Sequence, residues 1–172
     1  MGYVLRLETL AQSQNRGGQV TSKFSKYVGM DTHKDTIAVA IAQASGGKPR
    51  YYGEIANTPQ AGAKLVDVRS KPELLYVGRV PGSLLVEWQS YPGNQLNAEF
   101  LDQLAQVAGP QDTLMFICRS GARSHSTAAA ATQAGWRECY NVLEGFEGDK
   151  DAAQHRNTLG GWRKAGLPWV QG

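Results

Sequence analysis

One cysteine followed by two arginines and a glycine is the densest group of reactive side chains in this sequence. The stretch CRSGARS begins at Cys118 and places Gly121 between Arg119 and Arg123. A thiolate is a strong nucleophile, and neighbouring cations favour it over the neutral thiol. The stretch therefore predicts covalent chemistry at the Cys118 sulfur, with an anionic group bound beside it.

The segments on either side predict how this cysteine is positioned. The apolar run DTLMFI before Cys118 predicts a buried strand, and RSHSTAAAATQAG after it predicts a helix that is closed by Gly135. A loop between a strand and a helix faces the free N–H groups and the positive end of the helix dipole. Gly121 allows a tight turn that directs backbone amides inward. We expect an anion-binding loop made of Arg119, Ser120, Gly121, Ala122 and Arg123.

The cysteine and histidine content argues against disulfides and metal sites. The chain has two cysteines and three histidines, without the spacing of metal ligands. We therefore expect two thiols, no metal and no cofactor. Cys139 lies in the strand-like stretch ECYNV, which favours a packing role, with a resolving thiol as the alternative.

Strands and helices alternate through residues 61–172. AKLVDVR, GSLLVEW and RECYNVLEG have the character of buried strands, NAEFLDQLAQVAG has helical spacing, and GGWRKAGLPW predicts a short terminal helix. This order predicts an α/β fold with a mostly parallel sheet. The Cys118 loop would then lie at the carboxyl end of a central strand, where such sheets place their sites.

Three stretches resemble the rhodanese-type sulfurtransferase family. CRSGARS resembles its active-site loop, LVDVRSKPELLYVGRVPGS an earlier signature, and GWRECYNVLEGFEG the segment after the active-site helix. The resemblance covers residues 61–172 and implies a three-layer domain with helices flanking the sheet. It also implies that Cys118 carries a persulfide from a donor such as thiosulfate to an acceptor: cyanide, a small thiol or a protein. Asp67 and Arg69 would support the loop.

Other functions compete with this interpretation. The related cell-cycle phosphatases and arsenate reductases have five residues between the cysteine and the arginine, whereas four separate Cys118 from Arg123. The smaller ring favours sulfur transfer over the binding of a tetrahedral oxyanion. A non-catalytic rhodanese-fold binding module, or an inactive fusion product, is the main alternative.

The first third of the chain has a different pattern. Residues 1–24 are polar and predict a flexible segment, whereas 25–60 predict a three-stranded β-meander. Residues 25–59 resemble the start of an insertion-sequence transposase with an RNase-H-like domain, whose first metal-binding acid would correspond to Asp31. The remaining acids of such a site are missing, so we expect a fusion without nucleic-acid chemistry. Whether the meander completes the rhodanese sheet or forms a separate hairpin stays open.

Composition places few further limits on function. The chain has 172 residues, 41% of them hydrophobic, and a net charge of +3, which suits a globular domain. Residues 1–60 carry 7 Lys/Arg and 4 Asp/Glu, a surplus too weak to predict a nucleic-acid surface. We find no secretory signal and no apolar run of membrane-spanning length, and we expect a cytoplasmic protein. The sequence does not predict the oligomeric state.

Overall fold

A computed structural model describes five strands between residues 3 and 56 by their backbone, and residues 63–172 in full. The strands are β1 (Tyr3–Leu5), β2 (Leu7–Thr9), β3 (Lys26–Thr32), β4 (Thr36–Gln43), β5 (Arg50–Ala56), β6 (Lys64–Asp67), β7 (Leu84–Leu85), β8 (Thr113–Ile117) and β9 (Glu138–Val142). The helices are α1 (Lys71–Val77), α2 (Phe100–Val107) and α3 (Ala122–Gln133). No helix of the described residues is long and apolar enough to cross a membrane.

Four parallel strands form the centre of the second half of the chain, in the order β9-β8-β6-β7. The connections between successive strands contain α1, α2 and α3 in turn. This is the α/β fold with a mostly parallel sheet that the sequence predicts. Because β8 lies between β6 and β9, the ends of three strands meet around the residue that follows β8, which is Cys118.

Both faces of the parallel sheet are buried, which explains the near-continuous apolar runs in its strands. Successive residues of a strand point to opposite faces. On one face Leu114, Phe116 and Cys118 pack with residues of α2 and α3, and on the other Met115 and Ile117 pack with the C-terminal segment. Cys118 thus continues the strand's alternation onto the face that carries α3.

The C-terminal segment covers its face of the sheet without forming a helix, so the short helix predicted for GGWRKAGLPW is wrong. Residues 161–166 form turns, and Gly161 and Gly166 have φ values of +100° and +71°. Such values interrupt an α-helix. Trp162 and Leu167 are nonetheless buried against the sheet, so the segment supplies the same apolar cover through turns.

Helix α1 was not predicted, although its first turn carries a recognisable signal. Ser70 precedes it and Glu73 follows three residues later, which is the spacing of a capping box. The Glu73 carboxylate accepts a hydrogen bond from the Ser70 N–H at 2.9 Å. It also accepts two from the Arg123 guanidinium of α3, at 2.6 and 2.8 Å. This bidentate ion pair ties α1 to the start of α3.

The N-terminal strands divide between two sheets. β3, β4 and β5 form the antiparallel meander predicted for this region, and β1 joins it beside β3. β2 instead pairs antiparallel with β9, at the edge of the parallel sheet. The sequence analysis missed both short strands, because three residues are too few to show a strand period. The edge of β9 is therefore paired by β2, whereas β3–β5 lie in the other sheet.

The Glu73–Arg123 ion pair makes folding stability depend on pH. Burial opposes ionisation of Glu73, but hydrogen bonds from Arg123 and Ser70 outweigh it and lower the pKa from 4.5 to about 2. A carboxyl whose pKa is depressed by folding contributes stability above its unfolded pKa, and this is lost as the pH falls from about 4.5 to about 2. We expect Glu73→Gln to lower the free energy of unfolding near neutral pH by about 1–2 kcal/mol, since both side chains are partly open to water.

Urea unfolding of the wild type and Glu73→Gln near neutral pH and at about pH 3 tests this expectation. Comparing the two proteins cancels the titration of the other carboxyls. The difference in unfolding free energy should shrink at the lower pH. A difference that stays constant across this range would contradict the expected coupling.

Candidate active site

The Cys118 sulfur is nearly closed to solvent and accepts two hydrogen bonds. The residue is 1% exposed. Its Sγ accepts from the backbone N–H of Gly121 at 3.2 Å and from the Ser124 hydroxyl at 3.2 Å. Donors directed at sulfur stabilise a negative charge there. The arrangement therefore suits a sulfur that is anionic at some stage of a reaction.

Gly121 can direct its amide at the sulfur only because it is a glycine. Its φ of +92° lies in the left-handed region. A Cβ at this position would lie 1.9 Å from the Leu143 carbonyl oxygen. The turn after β9 therefore touches the loop backbone directly, and no side chain fits between them.

The same turn holds the Cys118 loop from behind. The N–H groups of Phe146 and Glu147 donate to the carbonyls of Cys118 at 2.7 Å and Arg119 at 2.9 Å. A Cβ on Gly145 would lie 2.6 Å from the Cys118 carbonyl oxygen. The loop carbonyls thus have partners on the side away from the sulfur, which leaves loop N–H groups free to face it.

Asp67 and Arg69 form a buried ion pair at the end of β6. The Arg69 guanidinium lies 2.6 Å from the Asp67 carboxylate, and both side chains are fully buried. Arg69 also donates to the Gly78 carbonyl at 2.9 Å and lies 4.1 Å from the centre of the Phe146 ring. Because Phe146 bonds to the Cys118 carbonyl, the pair contacts the loop through one residue and does not touch the sulfur.

The two loop arginines have different surroundings. The Arg123 guanidinium is bound by Glu73, and this hydrogen-bonded contact raises the pKa of Arg123. Arg119 is exposed and has no ion-pair partner within the described part of the chain. Ala122 is also exposed, and Ser120 is partly so. These three residues form the rim of the site, and Arg119 supplies its unneutralised charge.

Cys139 is a buried thiol of the core. It lies in β9 opposite Leu114 of β8 and is 1% exposed. Burial raises the pKa of Cys139 to about 11, so it stays protonated and unreactive near neutral pH. This agrees with the packing role favoured by the sequence.

No group of three potential metal-binding side chains occurs among the described residues.

Ser124 is the site residue that the sequence analysis did not single out. It is fully buried and contacts the sulfur, whereas the prediction stopped at Arg123. Its place in the first turn of α3, three residues after Gly121, could have indicated it, because a side chain there can reach back to the loop. The sequence alone did not show which face of the turn meets the sulfur.

Known proteins are similar to part of this chain. A family model described as the rhodanese-like domain matches residues 50–152. An uncharacterised protein of Rickettsia rickettsii is 35% identical over 115 residues, which cover 62% of this chain and 82% of the relative. Thiosulfate sulfurtransferase 18 of Arabidopsis thaliana is 30% identical over 91 residues, or 51% of this chain and 66% of that protein.

A solved structure shows the same fold. The crystal structure of Rv0390 from M. tuberculosis is 42% identical, with a TM-score of 0.59 over 64% of this chain and 85% of that one. The family model spans more than half of the chain and includes the Cys118 loop. The chain therefore belongs to the rhodanese-like domain family.

Proposed function

We propose that this protein is a sulfurtransferase that carries a sulfane sulfur on Cys118, from a donor such as thiosulfate to a thiophilic acceptor. The observation that carries the proposal is the Cys118 sulfur at the centre of a loop whose Gly121 amide donates to it at 3.2 Å. A thiosulfate sulfurtransferase among the relatives supports the same reaction class.

The reaction has two half-reactions. The Cys118 thiolate attacks the outer sulfur of thiosulfate, a bond forms between the two sulfurs, and sulfite leaves with the electron pair of the broken S–S bond. The acceptor, such as cyanide or a thiolate, then attacks the outer sulfur of the persulfide. The bond to Sγ breaks and its electron pair returns to Cys118 as the thiolate. Each half-reaction conserves charge and needs no external oxidant, metal or cofactor.

Negative charge moves between two positions during this cycle. In the attacking thiolate it is on Sγ, which the Gly121 amide contacts. In the persulfide it is on the outer sulfur, beyond Sγ and toward the rim. We assign stabilisation of the outer sulfur to the loop residues Arg119, Ser120, Gly121, Ala122 and Arg123. Asp67 and Arg69 support the loop from behind, through Phe146.

The alternatives from the sequence are weaker on chemical grounds. A binding module has no need of two donors directed at a buried sulfur, and a sulfur held in this way suits nucleophilic work. Phosphatase or arsenate reductase action is disfavoured by the four-residue spacing between Cys118 and Arg123. An inactive fusion product stays the alternative that activity measurements must exclude.

The role of the first third of the chain stays a prediction. The transposase-like interpretation of residues 25–59 rests on the sequence resemblance, and we propose no nucleic-acid function for it. The cytoplasmic location is likewise a prediction.

The acceptor is a thiol, cyanide or a protein, each of which must reach the exposed rim at Arg119.

Sulfur loading of Cys118 is the first test of the proposal. We expect intact-protein mass spectrometry to show one added sulfur atom after incubation with thiosulfate, removed again by cyanide. Cys118→Ser should gain none, because an alcohol does not replace the thiolate here. Cys139→Ala should load like the wild type, because that thiol is buried in the core. A folded wild type that takes no sulfur from thiosulfate or from a small persulfide would refute the proposal.

Arg119 offers a test of donor binding. We expect Arg119→Gln to lower kcat/KM for thiosulfate on the order of fivefold at low salt, because an unneutralised cation at the rim attracts a dianion. The loss should shrink as ionic strength rises, because salt screens exposed charges.

The matched control for Arg119 is Arg137→Gln. Arg137 is also exposed but precedes β9, at the opposite ends of the parallel strands. Arg137→Gln should leave kcat/KM for thiosulfate unchanged. Equal losses in the two variants would show that net charge, and not the position of Arg119, governs donor binding.

A further inference from the structure

The Ser124 hydroxyl has two acceptors within reach and only one proton to give. Its Oγ lies 3.2 Å from the Cys118 sulfur and 3.1 Å from the Gly121 carbonyl oxygen. A hydroxyl donates a single hydrogen bond, and its rotor can turn to suit either acceptor. The hydroxyl can therefore donate to only one of these two acceptors at a time.

The Gly121 carbonyl has a hydrogen-bond partner even without the Ser124 hydroxyl. It already accepts the N–H of His125 at 3.0 Å, the first hydrogen bond of α3. Turning the Ser124 hydroxyl toward the sulfur therefore leaves no carbonyl without a partner. Because Ser124 is fully buried, no water competes for its hydrogen bond. Rotating the hydroxyl from one acceptor to the other therefore costs little.

We propose that Ser124 is a catalytic residue whose hydroxyl donates a hydrogen bond to Sγ whenever Cys118 is a thiolate, and to the Gly121 carbonyl when Cys118 carries the persulfide. This role rests on the proposed sulfurtransferase function. In the persulfide, Sγ is a neutral bridging sulfur and a weak acceptor, whereas the thiolate is a strong one. The hydrogen bond thus strengthens as the Sγ–S bond breaks.

The hydrogen bond from Ser124 to Sγ mainly affects the rate of the second half-reaction. When the acceptor removes the outer sulfur, Sγ leaves with the bonding electron pair and becomes an anion. A donor whose bond forms as this charge develops stabilises the transition state more than the persulfide before it. In the first half-reaction the same bond stabilises the attacking thiolate but also lowers its nucleophilicity, so the two effects partly offset each other.

Ser124→Ala, with Thr127→Val as the matched control, tests the proposal. Thr127 is also fully buried on α3, and its hydroxyl donates to the Ser124 carbonyl at 2.9 Å without touching the sulfur. Each variant removes one buried hydroxyl that donates a hydrogen bond to the backbone carbonyl three residues earlier. Only Ser124→Ala removes a donor to Sγ. Ser124→Thr, which restores a hydroxyl, serves as the rescue.

The first readout is the single-turnover rate at which cyanide removes sulfur from the preloaded persulfide. We expect Ser124→Ala to slow this step about tenfold, as for loss of a hydrogen bond to a charged group. Thr127→Val should stay within about twofold of the wild type, and Ser124→Thr should recover most of the rate. Equal slowing in Ser124→Ala and Thr127→Val, or none in Ser124→Ala, would overturn the proposal.

The second readout does not require sulfur transfer. The rate of Cys118 alkylation by iodoacetamide is followed against pH in the Cys139→Ala background, where Cys118 is the only thiol. We expect Ser124→Ala to move the midpoint of this profile to higher pH, while Thr127→Val leaves it in place. If the wild type takes up no sulfur, the proposed function fails and this profile alone decides the role of Ser124. An unchanged midpoint in Ser124→Ala would then reject that role.

Discussion

The position of the Cys118 sulfur depends on two stretches of main chain that approach each other too closely for any side chain to lie between them. The turn after β9 meets the Cys118 loop at Gly121 and again at Gly145, where a Cβ would lie within 2.6 Å of backbone atoms. Hydrogen bonds from this turn engage the loop carbonyls. The opposite side of the loop can then direct N–H groups at the sulfur, since each peptide unit points its donor and acceptor in opposite directions.

The charges behind the loop largely cancel in pairs. Asp67 neutralises Arg69, and Glu73 neutralises Arg123, each at 2.6 Å. Burying an unpaired charge is costly, so these pairs let the arginines fix the loop without destabilising the fold. The sulfur itself is contacted by dipoles, an amide and a hydroxyl. Fixed dipoles in a buried site stabilise a developing anion without a lasting net charge, which suits a charge that leaves Sγ and returns.

The sheet around the site is covered in three different ways. Helices α2 and α3 cover one face, turns of the C-terminal segment cover the other, and β2 pairs with the edge of β9. The covering of the second face shows that apolar residues at the right distance from the sheet can replace a helix when glycines interrupt its backbone. An edge strand of three residues likewise satisfies the backbone of β9 in the region of Asn141.

The sequence by itself determined the parts that depend on neighbouring residues. The alternation of buried strands and helices, the strand ending at Cys118, the start of α3 and the need for Gly121 all follow from periodicity and backbone preferences over a few positions. The tertiary structure alone decided the contacts between distant residues. Glu73 meets Arg123 across 50 positions, and the turn at Gly145 meets Cys118 only because β9 lies beside β8. Even the contact between Ser124 and Sγ, six positions apart, depends on how the held loop orients the sulfur. Local propensities act over one or two turns of chain, whereas the surroundings of a sulfur depend on which strands the sheet places side by side.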